Sequence, residues 1–84
     1  MKCIENDLFS TYDLNITSCM VSLGHPIEKI QKQGGSRCLF FFKRSDKLKD
    51  DVIAYWKQEV LVNPHALFDA LKFIKSRIYA GDID

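Results

Sequence analysis

At 84 residues, 46% of them hydrophobic, the chain has room for one domain around one modest core. Domains of this size bury only about 60% of the surface their unfolded chain exposes, so disulfides, a metal or further copies commonly assist them. Cys3, Cys19 and Cys38 are odd in number, form no CxxC pair and stand at no zinc-like spacing from His25 or His65. A disulfide framework and a structural zinc are therefore set aside in favour of buried thiols in a reducing compartment.

The first residues, Met1 to Asp7, carry acid where a signal peptide has its apolar core. No stretch approaches the roughly 20 apolar residues of a membrane span, so a cytoplasmic protein without membrane partners is expected. Leu8 to Tyr12 reads as a short strand rich in β-favouring residues. Asp13 or Asn15 then caps a helix in which Ile16, Cys19, Met20 and Leu23 share one face at i, i+3, i+4 and i+7. Gly24 supplies a left-handed stop and Pro26 prevents continuation.

A hairpin follows. Ile27 to Gln33 and Arg37 to Lys43 flank Gly34-Gly35-Ser36, a loop whose glycines accept positive φ. The first of these strands is polar apart from Ile27 and Ile30, which suits a wet edge. The second, Arg37-Cys38-Leu39-Phe40-Phe41-Phe42-Lys43, is apolar on both faces: Cys38, Phe40 and Phe42 point one way, Leu39 and Phe41 the other. Helices of so short a chain cover one face with ease and struggle to cover two. A homo-oligomer is therefore expected, with Leu39, Phe40, Phe41 and Phe42 as the contact between copies, through the second face or a free edge of the Phe40 strand.

Ser45 caps a second helix from Asp46 to about Gln58, with Leu48, Val52, Tyr55 and Glu59 along one stripe and Ile53 and Trp56 beside it. Glu59 to Val62 is extended and is expected to add a short strand. The last helix starts with Asn63 as cap and Pro64 at the first helical position, where its missing N–H is not needed. Leu67, Leu71, Ile74 and Ile78 repeat at helical spacing, Phe68, Ala70 and Phe73 broaden the stripe, and Ala80-Gly81 ends it. The fold class is thus α+β, in the order β-α-β-β-α-(β)-α. A single domain spans residues 1–84, with 1–7 and 81–84 as frayed ends.

The charge is not evenly spread. Residues 26–49 hold Lys29, Lys32, Arg37, Lys43, Arg44, Lys47 and Lys49 against Glu28 and Asp46, a net +5, between flanks of −2 each. That block is an anion-binding candidate, with ordinary solvated lysines as the competing explanation. Arg37, Lys43 and Arg44 bracket the phenylalanines and Lys29 and Lys32 lie on the adjacent strand, the pairing of aromatics with cations that stacks bases and holds phosphates. Tyr55 and Trp56, adjacent on a helix, cannot both face one narrow core stripe, so one ring is available to a groove or partner.

Catalytic signatures are missing. Nothing in the chain brings a cysteine to a histidine, and no GxSxG, phosphate loop or HExxH occurs. His65 and Asp69, at i, i+4, read as a helix-face contact, and Asp50 and Asp51 point about 100° apart and read as a solvated face. No catalytic residue, metal or cofactor is assigned.

Tyr12-Asp13-Leu14, Leu23-Gly24-His25, the hairpin ending in a Phe-rich strand, Tyr55-Trp56, Val62-Asn63-Pro64, Leu67-Phe68, Leu71-Lys72 and Lys75-Ser76-Arg77-Ile78-Tyr79 together resemble a small family of uncharacterised domains of bacteria and their phages. The resemblance covers about residues 12 to 79. It implies a compact bacterial or phage accessory protein and assigns it no particular activity. The resulting expectation is a non-catalytic binding protein for a nucleic acid or nucleotide, including sequestration of a nucleotide signal. Contacts would come from Lys29, Lys32, Arg37, Lys43, Arg44, Tyr55 and Trp56. The alternative is a protein-interaction module, such as an inhibitor of a host protein or an assembly factor, in which the aromatic surface carries affinity.

Overall fold

A computed structural model describes residues 8–34 and 37–79. The elements run β1 (Leu8–Thr11), α1 (Leu14–Ser22), β2 (Ile27–Gly34), β3 (Arg37–Lys43), α2 (Asp46–Trp56) and α3 (Pro64–Tyr79). The α+β class and the hairpin against helices are as expected. Glu59 to Val62 joins no sheet and connects α2 to α3 as irregular chain. The expected frayed ends, at 1–7 and 81–84, lie outside the described residues.

Each helix begins where a side chain replaces the missing backbone partner. The Asp13 carboxylate accepts from the amides of Asn15 and Ile16, Ser45 Oγ from Leu48, and Asn63 Oδ1 from His65 and Ala66. α1 ends in a paired C-terminal motif: Gly24 N donates to Val21 O and His25 N to Met20 O, with Gly24 at φ +101°. α2 closes in the same way, Gln58 N donating to Tyr55 O and Glu59 N to Ala54 O. There Gln58 occupies the left-handed position at φ +61°. That turn halts α2 at Trp56, short of the Gln58 expected from periodicity. Since a left-handed L-residue costs about 1–2 kcal/mol, Gln58→Gly is expected to stabilise the fold by roughly 0.5–1 kcal/mol, read as a higher urea midpoint at unchanged m-value.

The sheet is antiparallel in the order β1-β3-β2, so the apolar strand sits at its centre with both edges paired. The Phe40 strand therefore has no free edge: β1 occupies the one expected to be open. β2 is an edge, as expected, and register irregularities between Ile27 and Lys29 and between Lys32 and Gly34 guard it along with its lysines.

All three helices contribute to one side of this sheet. Phe40 and Phe42 are 2% and 1% exposed, packed with Cys38 and Ile30 against Ile16, Cys19 and Met20 of α1, Leu48 of α2 and Ile74 of α3. Period-2 alternation thus sends Phe40 and Phe42, two of the four expected contact residues between copies, into the core of the chain itself, and leaves Leu39 and Phe41 on the far face. α1 is buried through five consecutive residues, Ile16 to Met20, and not along a single face. Thr17 and Ser18 tolerate that burial because their hydroxyls donate to Asp13 O and Leu14 O at 2.8 and 2.9 Å.

Candidate functional site

The sheet face opposite the three helices, which no helix among the described residues covers, gathers the basic and aromatic side chains. Alternation along β3 places Arg37, Leu39, Phe41 and Lys43 there, opposite the core-facing Cys38, Phe40 and Phe42. The register brings Lys29 and Ser10 beside Phe41, Gln31 beside Leu39, and Leu8 beside Lys43. Lys29 Nζ stands 5.1 Å from the centre of the Phe41 ring, and the Arg37 guanidinium 4.1 Å from that of Tyr12. Leu39 and Phe41 are half-buried and Tyr12 is exposed. Among the described residues no acidic side chain occupies a paired position on this face, which carries three cations, two rings, Leu8, Leu39 and uncharged polar groups.

The expected contact set divides by geometry. Lys29, Arg37 and Lys43 share this face. Lys32 pairs with the inward-facing Cys38 and so points to the other side of β2. Arg44 leaves the sheet plane: its Nε donates to Leu8 O at 3.1 Å, and the residue lines a groove of ≈ 500 Å³ with Phe9, Leu48 and Val52. Tyr55 and Trp56 belong to the helical layer, their rings edge-on at 5.2 Å. Burial raises the Tyr55 phenol above its ordinary range, with the nearby Asp13 adding to it. Tyr12 was absent from the expected set. Its place two residues beyond Ser10 puts it on the Phe41 face only once β1 pairs with β3, and that pairing has no local signal.

A second cluster joins α1 to α2. The C-terminal turn of α1 aims His25 at α2, where its Nε2 lies 2.6 Å from Asp51 Oδ2, and Lys47 Nζ reaches the same oxygen at 3.1 Å. Asp51 is thus no member of a solvated face, although its neighbour Asp50 is exposed. The His25 hydrogen bond is the largest cause holding the Asp51 carboxyl below its ordinary range, and Lys47 assists it against the opposing effect of burial. Cys19 lies near enough to feel the Asp51 charge, yet burial first and that charge second push its thiol upward. The His25–Asp51 contact ties the turn after α1 to α2.

A further groove of ≈ 410 Å³ lies in the helical layer, lined by Ser18 and Cys19 of α1, Tyr55 of α2, Val60 and Val62, and Phe68 and Leu71 of α3. Among the described residues no cluster of three or more His, Cys, Asp or Glu side chains is placed to hold a metal ion. No helix among them is long and apolar enough to cross a membrane.

Searches of curated proteins and of solved structures returned no match. One family model spans almost the whole fold, from just before β1 to the end of α3, and its residues 6–80 take in both the open sheet face and the His25–Asp51 tie. The chain belongs to the family described as a domain of unknown function, DUF5659.

Proposed function

We propose that this is a non-catalytic binding protein for single-stranded nucleic acid, seated on the open face of the sheet. One observation carries the reading: among the described residues, Lys29, Arg37 and Lys43 share a sheet face with Phe41 and Tyr12, and no acid stands at its paired positions. Arg37 and Lys43 lie six residues apart on β3, about 20 Å of strand. The phosphates of a single nucleotide do not reach both ends, whereas successive phosphates of a strand do. Phosphates pair with the three cations, and bases stack on Tyr12, or on Phe41 once Lys29 swings toward a phosphate. A bacterial or phage accessory role accords with the size and the family resemblance.

The test is fluorescence anisotropy with a labelled 12-nucleotide single strand across a salt series. Three phosphate contacts give a log–log salt slope of about −2. Lys29→Gln, Arg37→Gln and Lys43→Gln are each expected to flatten it by about 0.7. Lys32→Gln and Arg44→Gln, whose side chains lie elsewhere, leave it unchanged. Equal effects from all five, or no binding in 50 mM salt, would overturn the sheet face as the site.

A further inference from the structure

The helical side of the molecule carries a surface that the sheet-face reading does not use. On α3, Phe68, Lys72, Lys75 and Tyr79 fall at i, i+4, i+7 and i+11, one face of the helix, and all four are exposed. Phe68 is 60% exposed and also forms one wall of the ≈ 410 Å³ groove. Tyr55 lines the same groove, and Trp56, 66% exposed, packs edge-on against it. Between these rims the lining is apolar apart from Asn15 and Ser18, and no charged residue is in it. Large apolar side chains exposed around one groove mark a contact surface more than chance scatter does.

We infer that this groove and stripe receive an acidic amphipathic helix of a protein partner, about three turns long. Phe68 to Tyr79 covers 11 residues of rise, about 17 Å, which sets that length. Apolar side chains of the partner enter between Tyr55 and Phe68, and its flanking carboxylates meet Lys72 and Lys75. Charge decides against a second copy as occupant. A two-fold contact centred on the stripe would set Lys72 of one copy opposite Lys75 of the other, like charge against like. It also weighs against nucleic acid, since two lysines beside an uncharged apolar groove offer few phosphate contacts. An extended strand is disfavoured because the groove lies among helices, away from any sheet edge.

Trp56 is the only tryptophan in the chain, so its emission reports on this rim. The probe is a synthetic 18-residue helical peptide with leucines at i, i+4, i+7 and i+11 and glutamates on both flanks. Its titration is expected to shift Trp56 emission to the blue and to move backbone amide resonances of α3 and residues 55–62, leaving β2 and β3 unmoved. The same peptide with lysines in place of glutamates binds at least about tenfold more weakly, and Phe68→Ser weakens the acidic peptide by a similar factor. Lys72→Glu combined with Lys75→Glu reverses the preference between the two peptides. All three side chains are exposed, and thermal melts of the variants confirm that the fold is kept. No resonance change at millimolar peptide, or equal affinity for both peptides, overturns the inference. So does self-association that Phe68→Ser abolishes, or a single-stranded oligonucleotide that moves the α3 resonances.

Discussion

Phe42→Ala is expected to destabilise the domain by about 3–5 kcal/mol. The ring is 1% exposed at the centre of the sheet, opposite Phe9 and Ile27 in register, and the Phe9 ring lies 6.4 Å away. Truncating such a ring removes its transfer free energy and leaves a cavity, together about 3–5 kcal/mol. At 0.05–0.15 kcal/mol per residue the whole domain holds roughly 4–13 kcal/mol, so one side chain carries a large share. Phe41→Ala, one residue earlier on the face without helices, is expected to cost only about 1 kcal/mol. Urea denaturation followed by circular dichroism measures both. Equal losses at 41 and 42 would contradict a sheet covered on one side.

That contrast also shows what the sequence could convey. Alternation separates Phe40 and Phe42 from Leu39 and Phe41 within seven residues, and the caps at Asp13, Ser45 and Asn63 act over three, so both were legible locally. The sheet order was not. Leu8 pairs with Lys43 across 35 positions, and nothing near either residue announces the other. Without that pairing β3 seemed to have an edge to spare, and an oligomer through it looked economical. The same gap hid Tyr12, which gains its place beside Arg37 only through β1.

The basic block was legible as charge and only partly as a site. Lys29 and Lys32 differ by three positions, an odd number on a strand, so alternation alone sends them to opposite faces. Counting charge along the chain merged them. Tyr55 and Trp56 were rightly read as unable to share one stripe: Tyr55 lines a groove and Trp56 stands outside it. The groove itself needed the third helix. His25 and Asp51 illustrate the same limit, because Gly24 and Pro26 advertise a turn without saying which helix that turn faces.

That last pair yields the second large effect, Asp51→Asn, expected to destabilise the fold by about 2 kcal/mol at pH 6. The His25 and Asp51 side chains retain only 12% and 20% of their exposure, so water screens their 2.6 Å contact weakly. Lys47, mostly exposed, adds little, and Lys47→Ala is expected to cost no more than a few tenths of a kcal/mol. Because the Asp51 carboxyl titrates lower in the folded chain than in the unfolded one, the unfolded state takes up its proton first on acidification. Its contribution is therefore complete above the unfolded aspartate range, near pH 4, and fades as the pH falls through the lower folded value. Asparagine imitates the protonated side chain, so the gap between wild type and Asp51→Asn is expected to narrow as the pH falls below about 4. Urea midpoints at pH 6, 4, 3 and 2.5 follow that convergence. A gap that persists undiminished at pH 2.5 would mean that the asparagine disturbs packing and that the charge of Asp51 contributes nothing to joining α1 and α2.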